Sequence, residues 1–241
     1  MSAQAGYVQQ NLTDKWIRKY TGLERFLHWT HTVTFLTLAI TGMVLFIPFL
    51  GPLAAGEAGT FLRLLHRIAA VGFGALPIIY AIFQPRRLWM NLKEMFTYGR
   101  EDIGWVKALI PYYLLGRSET MPPQGRYNTG EKINGAVLII GTAVFGITGL
   151  VMWFGKFVVP VWLFQVCVVL HDLAMIATFN MFVIHLFLAV VHPLMWGGLV
   201  SMRFGVASKE YVAHHHAAWL EELSGQGEEE KGATQAGQSA T

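Results

Sequence analysis

Four histidines lie inside long apolar stretches of the sequence, where an ionisable side chain is costly and usually has a function. They are His28, His66, His171 and His185. Neutral imidazole is a common metal ligand in proteins. Two histidines at each of two depths is the arrangement expected for two iron porphyrins, each bound from both sides. The sequence therefore predicts two haem groups with histidine axial ligands, and an electron conduit through a membrane.

The spacing of the last two histidines tests this interpretation. His171 and His185 are fourteen residues apart in one apolar run. In an α-helix that spacing corresponds to about 21 Å along the axis and about 40° around it. Both rings are thus expected on one side of one helix, at two different depths.

The elements that must position these residues are four apolar blocks, roughly 26–50, 61–83, 134–154 and 162–192. Each block meets or exceeds the ~20 residues that a helix needs to cross a bilayer. The chain is 54% apolar and 14% charged, whereas about a quarter of the residues in a soluble domain are charged. We predict an all-α membrane protein, a bundle of four transmembrane helices. The first block lacks the features of a cleaved signal peptide, and no internal repeat is evident.

The distribution of positive charge predicts the orientation of the spans. Of the 18 Lys and Arg residues, all but Arg63, Arg67 and Lys156 fall in the N-terminal segment, in the connection 84–131 with the adjoining Lys132, or in the C-terminal segment. The positive-inside rule then places both termini and that connection in the cytoplasm. The pI of about 9.0 is explained by this topology, and nucleic-acid binding is a poor explanation for it.

This topology predicts which histidines share a depth. The first span runs outward, so His28 is expected at the cytoplasmic depth together with His185. The second span runs inward, so His66 is expected at the outer depth together with His171. Single histidines in a span can instead form hydrogen bonds to a neighbouring helix, and that alternative applies to each of the four.

Two further histidines compete for these roles. His31 lies about one turn deeper than His28 on a similar face. His192 lies nearly two turns beyond His185, just before Pro193, and is expected at or beyond the membrane interface. We favour His28 and His185.

The single cysteine, Cys167, excludes a disulfide within the chain and an iron–sulfur cluster bound by this chain alone. The absence of a Cys-x-x-Cys-His sequence excludes covalently attached haem. Any haem is therefore expected to be b-type. With both axial positions occupied, the iron would suit electron transfer better than oxygen chemistry.

Three regions are expected along the chain. Residues 1–15 form a polar tail, residues 16–223 the di-haem membrane domain, and residues 224–241 a disordered tail. The connection contains two mixed aromatic and charged stretches that suit helices on a membrane surface, namely Trp89–Tyr98 and Ile103–Leu115. The stretch Met195–Phe204 is expected to be interfacial too.

Several motifs resemble those of one family. They are Arg25-Phe26-Leu27-His28-Trp29, Leu65-His66, Arg126-Tyr127-Asn128-Thr129-Gly130-Glu131-Lys132, Leu170-His171, Ile184-His185 and His215-His216-Ala217-Ala218-Trp219. Over about residues 16–223 the sequence resembles the gamma subunit, a di-haem cytochrome b, of membrane-bound respiratory formate dehydrogenases. The first of these motifs is shared with cytochrome b subunits of nickel–iron hydrogenases. The alternative interpretation is therefore that the chain is such a hydrogenase subunit.

The resemblance implies roles for individual residues. His66 and His171 would ligate the haem nearer the outer face, and His28 and His185 the haem nearer the cytoplasm. A quinone, menaquinone or ubiquinone, would bind near Asn128, Gly130 and His185. The segment Asn128-x-x-Glu131 also fits a helix N-cap with a capping box. Whether Glu131 also passes protons is left open.

The resemblance also implies partners: an iron–sulfur beta subunit and a molybdopterin-containing catalytic alpha subunit, in the bacterial inner membrane. The chain would anchor the complex and pass electrons to quinone, and it would not itself oxidise formate. Two sequence features have alternative explanations. Arg67 could pair with a haem propionate or extend to water, and His214–His216 could bind a metal or form a solvated segment.

Overall fold

The computed structural model describes residues 15–117 and 121–225. The polar tails expected at residues 1–15 and 224–241 fall almost entirely on positions 1–14 and 226–241, which lie outside the described residues, as do 118–120. The described part of the chain is dominated by helices and contains one two-stranded ladder. The expected all-α architecture is confirmed.

The elements in chain order are β1 (Trp16–Arg18), α1 (Gly22–Phe46), a 3-10 helix (Pro48–Ala54), α2 (Gly56–Phe83), α3 (Pro85–Met95), α4 (Arg100–Leu115), α5 (Thr129–Phe154), α6 (Val161–Leu186), a π-helix (Phe187–Val191), a 3-10 helix (Pro193–Met195), α7 (Trp196–Phe204), β2 (Val206–Ser208) and α8 (Lys209–His215). Residues 217–225 are also helical.

Within the described residues, four helical segments are long and apolar enough to cross a membrane, as expected: α1, α2, α5, and α6 with its π-helical extension. In the most apolar stretch of each of these segments, at most 17% of the residues are buried inside the protein. Their apolar side chains therefore face outward, which suits lipid as the surrounding solvent. The first span ends at Phe46 and not near residue 50, because Pro48 opens a 3-10 helix there. A second proline, Pro193, follows the end of the π-helix.

The chain divides into two compact units. The long-helix unit comprises residues 22–88 and 134–188. The terminal-segment unit comprises the described parts of 1–21, 89–133 and 189–241.

Aromatic side chains form the core of the long-helix unit. Phe35 of α1 and Phe73 of α2 are buried together, and Phe182 of α6 packs against them. Helices α5 and α6 approach closely at Gly141, where an added Cβ would lie 2.5 Å from Cγ2 of Thr178. Small residues at such contacts are typical of membrane helices.

The terminal-segment unit is built around the β1–β2 ladder, in which Ile17 pairs with Ala207 in antiparallel register. Ile17, Ala207, Val212 and Trp219 form its apolar cluster. A left-handed Gly205, at φ 85°, ends α7 immediately before β2, a conformation that glycine adopts without a Cβ penalty. This ladder fixes the N-terminal segment against the C-terminal segment.

Candidate functional site

The four histidines singled out above lie in two pairs within the long-helix unit. The ring centroids of His28 on α1 and His185 on α6 are 6.3 Å apart. Those of His66 on α2 and His171 on α6 are 6.5 Å apart. The structure thus brings together the residues that the sequence places at equal depths.

Both separations fit one iron between two imidazoles. A metal–imidazole bond is about 2 Å long, so two rings on opposite sides of one metal place their centroids about 6 Å apart. Rings whose centroids are this far apart cannot bring their nitrogens within the distance of a direct hydrogen bond. Within the described residues, no group of three or more His, Cys, Asp or Glu side chains could hold a bare metal ion. Two imidazoles suit haem, whose porphyrin supplies the remaining ligands.

A threonine on the neighbouring helix orients His66. The hydroxyl of Thr41 on α1 lies 2.8 Å from Nδ1 of His66. The same hydroxyl lies 2.7 Å from the carbonyl oxygen of Thr37, to which it donates. Gly42 lies beside the same ring, where an added Cβ would be 3.5 Å from Cε1.

The same arrangement recurs around His171. The hydroxyl of Thr148 on α5 lies 2.8 Å from Nδ1 of His171 and donates to the carbonyl oxygen of Val144 at 2.6 Å. An added Cβ at Gly149 would lie 3.7 Å from Cε1 of the ring. Helix α5 therefore contacts His171 with a threonine and a glycine, as helix α1 contacts His66.

Sequence reasoning missed Thr41 and Thr148. The signal was present, because Ile-Thr-Gly-x-Val occurs at residues 40–44 and again at 147–151. The expectation of no internal repeat is therefore wrong over these five residues. The repeat is too short to stand out without knowing which helices are neighbours.

The other pair has a different environment. Nδ1 of His28 is buried, and no hydrogen bond reaches it from the described part of the chain. The ring stands edge-on to Trp29, with 5.2 Å between centroids. The imidazole of His28 is thus held by packing.

The two competing histidines have other neighbours. The ring of His31 lies 4.6 Å from that of Phe73 and 6.2 Å from that of Phe35. Nε2 of His192 lies 3.2 Å from the carbonyl oxygen of Tyr113, so this nitrogen carries the proton and donates it. The geometry favours His28 over His31 as the neighbour of His185.

Arg67, for which two explanations were open, has its guanidinium 5.3 Å from the ring centroid of Trp153. This is within the range of a cation–π contact. The contact joins α2 to α5 inside the long-helix unit.

In the terminal-segment unit, Asn128 caps α5. Its Oδ1 accepts from the backbone N–H of Glu131 at 2.9 Å, and Oε2 of Glu131 accepts from the backbone N–H of Asn128 at 2.9 Å. The expected capping box is confirmed. The amide nitrogen of Asn128 donates to no partner among the described residues, so a donor remains beside the cap.

Gly130, the second residue expected near a quinone, has a packing role of its own. An added Cβ there would lie 2.9 Å from Cη2 of Trp105 and 3.2 Å from Oδ1 of Asn128. Glycine is therefore required for the indole to pack against the start of α5. The space beside the cap stays narrow.

A buried ionic cluster adjoins the cap. Nζ of Lys19 donates to Oε1 of Glu131 at 3.1 Å and lies 2.9 Å from Nε2 of His216. Nδ1 of His216 lies 2.8 Å from the carbonyl oxygen of Gly125. Because a carbonyl can only accept, Nδ1 carries the proton and Nε2 accepts from Lys19. His216 is therefore neutral in this geometry.

The pKa values agree with that assignment. Burial, aided by the neighbouring Lys19, lowers the pKa of His216 to about 3. Burial also lowers the pKa of Lys19, against the opposing attraction of Glu131. The expectation of a solvated segment at His214–His216 is wrong for His216, which is 0% exposed. It was missed because its partners are far away in sequence.

The chain is similar to known proteins over most of its length. The family model described as prokaryotic cytochrome b561 matches residues 19–205. That range contains all four paired histidines and both threonines.

Named relatives share most of their length with the chain. It is 24% identical over 207 residues to the nitrate-inducible formate dehydrogenase cytochrome b556(Fdn) subunit of Escherichia coli, covering 83% of this chain and 88% of the relative. It is 26% identical over 214 residues to the formate dehydrogenase cytochrome b556(fdo) subunit of the same organism, covering 86% and 93%. It is 25% identical over 207 residues to the formate dehydrogenase cytochrome b556 subunit of Haemophilus influenzae, covering 82% of this chain and 79% of the relative.

Proposed function

Because the chain belongs to the prokaryotic cytochrome b561 family, we propose that it is the membrane-anchoring cytochrome b subunit of a formate dehydrogenase complex. In this role it passes electrons across the membrane through two b-type haems to a quinone. The formate assignment comes from the names of relatives that cover most of the chain.

One observation carries the proposal: two histidine pairs with ring centroids 6.3 and 6.5 Å apart. His28 and His185 hold one haem, and His66 and His171 hold the other. Haem would supply reversible one-electron chemistry there, and two imidazoles for each iron would leave it no free position for oxygen. The chain contributes the imidazoles, their orientation and an apolar surrounding.

The distribution of Lys and Arg supports an orientation with both termini in the cytoplasm of the bacterial inner membrane. In that orientation His66 and His171 lie toward the outer face, where an iron–sulfur beta subunit delivers electrons from a molybdopterin-containing alpha subunit. His28 and His185 lie toward the cytoplasm. Moving an electron inward costs roughly 2.3 kcal/mol per 100 mV of membrane potential, so part of the reaction energy is conserved.

For the quinone we propose a hydrogen bond from the amide nitrogen of Asn128. Its oxygen accepts a hydrogen bond from the helix cap, whereas its nitrogen can donate to a quinone carbonyl. Gly130 belongs to the same proposed site, where it lets Trp105 pack beside the cap. The protons consumed in quinone reduction come from the cytoplasmic side.

The test is replacement of each proposed ligand by alanine in the purified complex, with haem measured per chain. His28→Ala, His66→Ala, His171→Ala and His185→Ala are each expected to remove one haem. The matched controls His31→Ala and His192→Ala are expected to keep both. Full haem content in the His28 variant with loss in the His31 variant would reassign that ligand.

The donor is tested separately by quinone reduction in the intact complex. Formate is expected to drive it and hydrogen is not. The reverse result would assign the chain to a hydrogenase complex while leaving the haem ligands unchanged.

A further inference from the structure

We propose that Thr41 and Thr148 are positioning residues that fix the tautomers of His66 and His171 and lower the midpoint potential of the haem bound between them. This inference rests on the proposed function, since it requires that these two imidazoles bind a haem. It assigns to each threonine a role in electron transfer and not only in helix packing.

The hydroxyl hydrogen of each threonine determines the direction of its hydrogen bond to histidine. A threonine hydroxyl has one hydrogen to donate and two lone pairs with which to accept. The hydroxyl of Thr41 donates its hydrogen to the carbonyl oxygen of Thr37, 2.7 Å away. Its 2.8 Å contact with Nδ1 of His66 must therefore be a hydrogen bond that the ring nitrogen donates.

The hydroxyl of the second threonine makes the same two hydrogen bonds. The hydroxyl of Thr148 donates to the carbonyl oxygen of Val144 at 2.6 Å, so Nδ1 of His171 donates to Thr148 across 2.8 Å. Both rings therefore carry their proton on Nδ1 and keep the lone pair on Nε2. That is the tautomer an iron ligand needs when the ring binds through Nε2.

The hydrogen bond also changes the ligand. When a ligating histidine donates its other N–H to an acceptor, the ring becomes a more basic ligand. A more basic ligand stabilises the ferric state relative to the ferrous state, and second-shell hydrogen bonding is a recognised determinant of haem potential. Two such bonds act on the haem of the His66–His171 pair.

His28 provides the internal contrast. Its Nδ1 is buried without a hydrogen-bond partner in the described part of the chain. The haem held by His28 and His185 therefore lacks this stabilisation from one of its two ligands. The consequence is a lower potential at the His66–His171 haem, which favours electron flow from that haem to the other.

The experiment is a potentiometric titration of the visible spectrum of the purified complex carrying Thr41→Val or Thr148→Val. Valine keeps the shape of threonine and removes the acceptor. Each variant is expected to shift one of the two haem potentials in the positive direction and leave the other in place. The double variant is expected to shift that potential further. Thr41→Ser and Thr148→Ser, which keep the hydroxyl, are expected to retain the wild-type potential.

Two control variants lie on the same helices. The hydroxyls of Thr37 on α1 and Thr142 on α5 also donate to backbone carbonyls, of Val33 and Leu138, and no hydrogen bond joins either hydroxyl to a histidine among the described residues. Thr37→Val and Thr142→Val are expected to leave both potentials in place. A general effect of removing helix hydroxyls would move them as well and would overturn the inference.

The remaining outcomes are equally clear. Haem loss in a valine variant with retention in the matching serine variant supports tautomer control. Haem loss in both, or two haems with unmoved potentials in the valine variants, overturns the inference and leaves the proposed function intact. A wild-type protein with fewer than two haems would contradict the proposed function itself.

Discussion

In the terminal-segment unit the buried side chains of the ionic cluster form hydrogen bonds with one another. In the long-helix unit the two imidazoles of each histidine pair are too far apart to do so. Lys19 contacts Glu131 and His216 at distances of a hydrogen bond. The paired histidines face each other with centroids more than 6 Å apart.

The comparison separates two uses of buried polar side chains. A cluster whose members satisfy each other stabilises a fold, because an unpaired buried charge is costly. Two imidazoles with centroids more than 6 Å apart are too far from each other to share a hydrogen bond, and this spacing suits a group bound between them. By this criterion the ionic cluster joins the chain segments, and the histidine pairs fit the haem sites proposed above.

The largest expected effect comes from removing ligands in combination. His66→Ala and His171→Ala together are expected to lose only the one haem that either variant loses alone, because both act on the same iron. His66→Ala with His185→Ala is expected to lose both haems. Haem content per chain in the purified protein distinguishes these results, and equal losses in the two double variants would contradict the pairing.

The second effect concerns the ionic cluster. Glu131→Gln keeps the capping-box side chain but leaves the buried Lys19 without its carboxylate. We expect a loss of roughly 3 kcal/mol in the stability of the terminal-segment unit, measured by hydrogen exchange at the Ile17 amide. The control Glu210→Gln, at an exposed position, is expected to change nothing.

Adding Lys19→Met to Glu131→Gln removes the unpaired charge and is expected to recover most of that stability. A double variant as unstable as Glu131→Gln would mean that the cluster stabilises the fold by something other than charge pairing.

The third effect is a dependence on pH. In the folded chain the pKa of His216 is about 3, against 6.5 for the ordinary side chain. The unfolded chain therefore binds a proton that the folded chain excludes, so stability falls as pH decreases from 6.5 toward 3. The slope approaches about 1.4 kcal/mol per pH unit.

Denaturation of the purified protein over about three pH units, from about pH 7.5 to about pH 4.5, measures this slope through tryptophan fluorescence. His216→Asn is expected to flatten it. An equally steep slope in that variant would assign the dependence to other groups, such as His215, whose pKa burial lowers to about 4.

The smallest effect concerns the quinone. Asn128→Asp retains an oxygen that can cap α5 and removes the amide donor. The loss of one hydrogen bond, about 1.4 kcal/mol, corresponds to a rise of about tenfold in KM for the quinone. An unchanged KM in a folded variant would remove Asn128 from the quinone site.

The sequence predicted the parts of this account that depend on local pattern. Apolar runs identified four spans, the fourteen-residue spacing placed His171 and His185 on one face of α6, and the Asn128–Glu131 spacing identified the cap. Each follows from helix geometry alone.

What the sequence did not predict depends on contacts between distant segments. Lys19 and His216 are 197 residues apart, and no local pattern joins them. Thr41 and Thr148 contact His66 and His171 only because α1 lies beside α2 and α5 beside α6. Burial of His216 likewise follows from packing of the C-terminal segment on the N-terminal one.

The central claim is that each histidine pair holds one haem, and the most direct measurement is the amount of non-covalent b-type haem per chain in the purified wild-type protein. The account predicts two haems per chain. A single haem, or a colourless protein in an intact complex, would contradict it.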